Sequence, residues 1–226
     1  GNVKGRDYAV VWKKDKSGRD YEWDKILVLG SILNIKHTSD GGYIAVGLSH
    51  SSRKMDGSLL KYNPDVNGTI NEFSCSNGIE WESNPCGTPD PRDTRRFGYA
   101  CKLDHDGNIE WEALFGTSDH ALVDNDAYST FSSMIWDVVE TSTGFVLVGE
   151  SDVRNSLGYA INGGNSTNNW RSAAMWMVNK DGEIFIDNGQ LQLGFLPDYF
   201  TSRGIASGLA VYNSSLDNEE KVVVSG

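Results

Sequence analysis

Apolar and polar residues alternate along this chain with a period of two, and no window of a dozen residues carries the spacing of an amphipathic helix. The pattern predicts an all-β protein built of hairpins. One hairpin type is an apolar strand, a polar turn and a second apolar strand ending in glycine, at residues 35–47 (IKHTSDGGYIAVG), 138–149 (VVETSTGFVLVG) and 209–226 (LAVYNSSLDNEEKVVVSG). A second type lies at residues 8–27, 99–115 (YACKLDHDGNIEWEALF) and 174–193. A local pattern that returns along a chain marks a repeat architecture. With the strands of the first type named A and B and those of the second C and D, the chain reads C-D, A-B, C-D, A-B, C-D, A-B. The hairpins span 8–28, 31–49, 99–115, 134–150, 173–193 and 204–226.

The turns carry their own chemistry. Ser39-Asp40-Gly41-Gly42 and Ser142-Thr143-Gly144 close the first type, with glycine supplying the positive φ of a tight reversal. Asp15 to Gly18, Asp104 to Asn108 and Asn179 to Gly182 close the second. Because antiparallel strands reverse direction at every turn, all A-B and C-D turns fall at one end of the sheets and all B-C and D-A connections at the other. Every A-B or C-D turn but the last is short, whereas the long segments 48–98, 116–133 and 150–172 all occupy B-C or D-A positions. One rim is therefore smooth and the other carries the insertions.

Four-stranded antiparallel units with glycine-closed turns and a recurring aromatic predict blades of a β-propeller, a fold that typically closes with 4–8 blades. This chain supplies about three blades' worth of strands, so it is expected to be a segment of a larger propeller, the remaining blades coming from the same or another chain. A strand swap, in which the opening C-D pair completes the closing A-B pair, fits the same order. Residues 58–63 (SLLKYN) and 69–73 (TINEF) form an alternative C-D hairpin; 99–115 is preferred, because Trp111 and Phe115-Gly116 echo the version at Trp23.

The stretches 38–47 (TSDGGYIAVG) and 102–111 (KLDHDGNIEW) resemble the degenerate repeat of secreted or surface β-propeller proteins of Bacteroidota-type bacteria. The insertions depart from that pattern, being much longer than the family's B-C loop. The resemblance implies a propeller, an exported location and a role in binding macromolecules or glycans, and no particular catalysis.

Composition narrows the partners. The 226 residues are 38% hydrophobic and 23% charged, with a net charge of −11. Such acidity argues against nucleic acid or an anionic membrane as the main partner. The basic cluster Arg92, Arg95 and Arg96 is interrupted by Asp90 and Asp93 and suits a solvated loop. Apolar runs are far too short for membrane insertion. Of three cysteines, Cys75 and Cys86 flank a Gly/Asn/Pro-rich segment that a disulfide would fix, closing a loop of about a dozen residues and stabilising by roughly 3 kcal/mol in an oxidising compartment. Cys101 sits in an alternating strand as a small buried hydrophobe.

No cofactor is implied. Asp104, Asp106 and Asn108 resemble a calcium loop, yet the glycine is misplaced and no glutamate follows at the twelfth position, so Asx turns explain them better. The densest group of acid/base or ligating side chains is in residues 116–128 (GTSDHALVDNDAY), where Asp119, His120, Asp124 and Asp126 gather on the inserted rim. The same residues also suit a polar crossover whose side chains cap their own backbone. Trp23, Trp111, Trp136 and Trp176 fall on predicted strands and are expected to pack between blades. Trp81 and Trp170 lie in insertions beside Asn, Ser and Gly, where an aromatic either packs its own loop or stacks on a sugar or protein partner. These residues point to a non-catalytic extracellular binding or scaffolding module using its loop-bearing face, with protein or glycan as partner. The alternative is an exported propeller enzyme, either a quinoprotein-like oxidoreductase or a glycan hydrolase drawing its carboxylate pair from Asp124, Asp126 and Glu150.

Overall fold

The structure is a computed structural model that describes residues 8–50, 54–58, 60–63, 97–115, 133–152, 171–184, 186–187, 190–191, 193–195, 207–213 and 220–225. Every regular element among them is a strand. The first sheet contains β1 (Tyr8–Lys14), β2 (Tyr21–His37), β3 (Tyr43–Ser49), β4 (Lys61–Asn63), β5 (Phe97–Leu103) and β6 (Ile109–Phe115), in the order β1-β2-β3-β5-β6-β4. The second contains β7 (Ser133–Glu140), β8 (Gly144–Asp152), β9 (Arg171–Asn179) and, beyond the small pair β10 (Ile186–Asp187) and β11 (Gln190–Leu191), β12 (Leu193–Phe195), in the order β12-β9-β8-β7. β13 (Gly208–Asn213) and β14 (Glu220–Ser225) form a separate hairpin. All neighbours pair antiparallel except β4, which runs parallel to β6. The protein is all-β with antiparallel sheets.

Two boundaries differ from the sequence expectation. The hairpins 8–28 and 31–49 share one continuous 17-residue strand, β2, instead of two separated ones. Its first part pairs with β1 as far as Leu29, and from Gly30 onward it pairs with β3. A side chain at Gly30 would lie 2.1 Å from the Leu48 carbonyl oxygen, so glycine lets the strand change partners without a loop. In the hairpin 173–193 the second strand is broken: only a bridge from Val178 to Ile184, then the β10–β11 reversal, then β12 against β9. Asp187 pairs with Gln190 across Asn188-Gly189, a dipeptide that favours a two-residue reversal. β3 pairs residue for residue with β5, the first strand of 99–115, while residues 61–63 of the alternative hairpin run parallel to β6 and its second strand, 69–73, lies outside the described residues.

The sheets stack through their faces. Ala9, Val11, Leu27 and Val28 of the opening hairpin pack with Ala45, Phe97, Tyr99, Cys101, Leu103 and Leu114. On the opposite face, Ile44, Val46, Ala100, Ala113 and Phe115 pack with Ile135, Val138, Phe145, Leu147, Ala174, Trp176 and Val178. The far side of the second sheet carries Val148 and Met175 against Leu209 and Val224 of the closing hairpin. Strands β3 and β5, covered on both faces, are therefore almost continuously buried. Cys101 is a free, fully buried thiol whose proton is held by burial first and by the Glu112 charge next, as a packing hydrophobe should be.

One buried cation is held at the turn-bearing rim. The Lys102 ammonium, on a nearly inaccessible side chain, meets Asp40 and Glu110 carboxylates at 2.8 Å each and donates to the Leu103 carbonyl at 3.2 Å. The Lys102 hydrogen bond, then that of Thr38, holds the Asp40 carboxyl well below the usual carboxylate range. Stability from Asp40 is thus complete above its ordinary value near 3.8 and is lost as the pH falls toward its folded value. Asp40→Asn should therefore flatten the acid side of a melting-temperature profile below about pH 4. Lys102→Met, which leaves both carboxylates free to hydrate, should alter stability by no more than about 1 kcal/mol.

Candidate functional site

Three turns of the turn-bearing rim, closing the C-D hairpins, lie among the described residues. They follow one plan. In each, the glycine N–H donates to the carbonyl of the first turn residue, from Gly18 to Asp15, Gly107 to Asp104 and Gly182 to Asn179. The side chain of that first residue then accepts from its own backbone: Asp104 Oδ1 takes the N–H groups of Asp106 at 2.9 Å and Asn108 at 2.8 Å, and Asn179 Oδ1 those of Asp181 and Glu183. The Asp104 carboxyl is held low, chiefly by the Asn108 amide. These are Asx turns, as expected, and both oxygens of Asp104 accept from the chain itself.

Successive C-D hairpins are latched through these turns. Trp23 Nε1 donates to the His105 carbonyl at 3.1 Å, and Trp111 Nε1 to the Lys180 carbonyl at 2.7 Å. Each indole lies on the next turn's glycine: a Cβ would meet the Trp23 ring at 2.6 Å from Gly107 and the Trp111 ring at 2.5 Å from Gly182. Each also meets the aromatic that opens the next B strand, Trp23 edge-on to Tyr43 at 5.6 Å and Trp111 tilted on Phe145 at 6.1 Å. The third position of the series has Ile186 in place of tryptophan and Val222 in place of the aromatic, so the two contacting rings are replaced together.

The A-B turns are capped in the same sense. Glu140 accepts from Ser39 N–H at 2.6 Å and Ser39 Oγ at 2.7 Å and is paired with Lys180; Glu220 accepts from Ser142 N–H and Ser142 Oγ at 2.9 Å each. Burial alone would raise the Glu140 carboxyl, but Lys180 and Ser39 outweigh it and hold it low. Gly144 differs from the expectation for its turn. Its φ is not positive; it is small because a Cβ would meet the Val178 carbonyl oxygen at 1.9 Å.

Two buried carboxylates lie deeper. Asp137, next to a bulge in β7, accepts from Asn34 Nδ2 at 2.8 Å, Val138 N–H at 2.8 Å and Leu209 N–H at 2.9 Å, and pairs with Lys36 at 2.6 Å. It thereby joins β2, β7 and β13. Glu112 accepts the Tyr99 hydroxyl at 2.8 Å beside the Cys101 thiol, with Lys54 at 3.5 Å. Burial first, then the neighbouring Cys101 and Glu112, push the Tyr99 hydroxyl well above its ordinary value, so it keeps its proton near neutral pH. Both acids are committed to structure. Among the described residues no three His, Cys, Asp or Glu side chains converge as a metal site would require.

The residues singled out for the other rim, Trp81, Trp170, Asp119, His120, Asp124 and Asp126, lie outside the described residues, as do Cys75 and Cys86. Of the expected strand tryptophans, Trp111 and Trp176 pack between the two sheets, and Trp23 packs against residues of its own sheet. Trp136, the extra residue at the β7 bulge, has a buried indole N–H without a partner. Glu150 is fully buried near the loop end of β8. His105 meets its neighbour Asp106 at 3.1 Å in an exposed turn, and His37 stands edge-on to Tyr43, neither beside a buried acid. Sequence reasoning passed over Asp137, and the signal was present: Asn34 and Asp137 stand four residues before Thr38 and Thr141 in the two A strands.

The chain matches no protein-family model and no curated protein.

Proposed function

We propose that these sheets are blades of a β-propeller in an exported bacterial protein, and that the protein is a non-catalytic binding or scaffolding module working through its loop-bearing rim. What supports this most is the contrast between the rims. At one end the strand connections are short turns whose polar groups are spent on each other, through Asp104, Asn179, Glu140 and Glu220. At the other, the chain spends 47 residues between Ser49 and Phe97 and 17 between Phe115 and Ser133. Long loops on a rigid stacked scaffold are where binding residues concentrate. The Cys101 thiol and the Tyr99 hydroxyl, both kept protonated by burial, and the fully engaged Asp137 do not offer a nucleophile or a base.

In this reading Trp81 and Trp170 are the anchors and residues 119–126 the polar surround, and the partner is a glycan or a protein surface. Screening the chain on a glycan array and against surface proteins of its source should find a ligand. Trp81→Ala and Trp170→Ala should each weaken that binding by about 30-fold or more while leaving the melting temperature unchanged. Loss of stability with unaltered binding would defeat the assignment. A glycan that is cleaved and not merely held would instead support the hydrolase reading through Asp124, Asp126 and Glu150.

A further inference from the structure

Strand β6, with the sequence IEWEALF, divides into two halves of different character. The half nearest the C-D turn carries two carboxylates, Glu110 and Glu112, and the half nearest the loop-bearing rim, Ala113, Leu114 and Phe115, carries none. An apolar strand whose outer N–H and C=O groups stand open is a template for strands of other molecules, and charged side chains are one device that blunts it. The uncharged half is the half that β4 covers. Lys61 stands opposite Ala113, Tyr62 opposite Leu114 and Asn63 opposite Phe115. Among the described residues β4 is the last strand of the sheet, so the edge passes from a seven-residue strand to a three-residue one that bears a lysine. Short edge strands and edge lysines both discourage pairing.

β4 ends a strap formed by residues 54–58 and 60–63, near the start of the first insertion. The strap closes on itself much as the C-D turns do: the Gly57 N–H donates to the Lys54 carbonyl at 3.0 Å, and Asp56 Oδ1 accepts from the Ser58 N–H at 2.9 Å and Ser58 Oγ at 2.6 Å. Its ladder to β6 is three residues long and parallel, the weaker arrangement. Side chains do the fastening. Leu60, 6% exposed, joins the core cluster of Phe97, Tyr99 and Leu114. Lys54 reaches the buried Glu112 carboxylate at 3.5 Å, and Lys61 reaches Glu183, beside the Asn179 turn of the second sheet, at 3.2 Å. We infer that the strap is an autoinhibitory contact, an edge guard that keeps β6 from pairing antiparallel with β6 of a second copy of this chain. Two copies of one strand that meet about a two-fold axis form an isologous contact, which closes at two and builds no filament.

Two variants release the strap by different routes. Leu60→Asp removes its apolar anchor, and Lys54→Glu with Lys61→Glu turns both ion pairs into repulsions while leaving the core untouched, so the second decides the matter if the first does not fold. Each folded variant should keep its strand signal in circular dichroism and, when dilute, exchange the amide hydrogens of residues 113–115 that face β4 at least about 10-fold faster than the unaltered chain. Raising the concentration should then drive it into a dimer of twice the 24.8 kDa mass, with association at least about 10-fold tighter than in the unaltered chain by sedimentation equilibrium. The same amides should become protected again as the dimer forms. A folded variant whose opened β6 associates no more tightly than the unaltered chain would overturn the guard, as would a dimer in which residues 113–115 still exchange fast. Amides there that stay as slow as in the unaltered chain would show that the strap is not what covers them, and would overturn it equally.

Discussion

Trp111→Ala is expected to destabilise the protein by about 3 kcal/mol, the low end for a large aromatic because the ring is only half-buried. The loss combines the indole's contact with Phe145 and Gly182 and its hydrogen bond to the Lys180 carbonyl. Gly182→Ala should cost about 2–3 kcal/mol for two separable reasons: a φ of 75° that disfavours a side chain, and a Cβ driven to 2.5 Å from the same indole. The two changes should not add. With the ring already removed, only the backbone conformation resists alanine, so Gly182→Ala in the Trp111→Ala background should cost about 1 kcal/mol. Gly41→Ala supplies the control, since Gly41 has a φ of 89° and nothing within 4 Å of an added Cβ; about 1 kcal/mol is expected there in either background. Urea unfolding of the five variants measures these differences. Additive losses at Trp111 and Gly182 would show that the ring and the turn do not press on each other.

The same latch shows what the sequence could and could not reveal. The all-β class, the hairpins and their turns were legible, because period-two alternation and Asp-Gly turns are local signals. The insertion-bearing rim was legible too, since it follows from strand parity alone. That Trp23 and Trp111 recur was visible, but the glycine each one covers is 84 and 71 residues further along, a pairing that only the stacking of one hairpin on the next brings about. Strand ends were less legible. Nothing in Leu29-Gly30-Ser31 distinguishes a turn from a strand that passes from one partner to another, because the deciding fact is the approach of the Leu48 carbonyl. In the third C-D hairpin, alternation across 173–193 outweighed Asn188-Gly189. The residues nominated for binding sit in long polar segments without period, where local pattern carries composition and little else.

Asp137→Ala should be the most damaging single change among the buried polar residues, by about 3–4 kcal/mol, because it strands several partners at once. The Leu209 N–H, the Asn34 amide and the Lys36 ammonium all converge on one carboxylate that is almost inaccessible to water. Lys36 can swing to solvent, being about one-third exposed, but the Leu209 N–H is fixed by its strand and loses its acceptor outright. Asp137→Asn keeps the shape but replaces one oxygen with an N–H donor group, which must face either Lys36 or the Leu209 N–H, so about 2 kcal/mol is expected. The damage should be local before it is global. The β13–β14 hairpin is fastened to the second sheet by the Leu209–Asp137 bond, a small apolar cluster around Val148, and Glu220 on Ser142. Removing the first should let that hairpin open on its own. Hydrogen exchange at Leu209 should then accelerate in Asp137→Ala by more than exchange at Leu147, which lies in the main core. Equal acceleration at both would mean that Asp137 supports the fold as a whole and not the attachment of its closing hairpin.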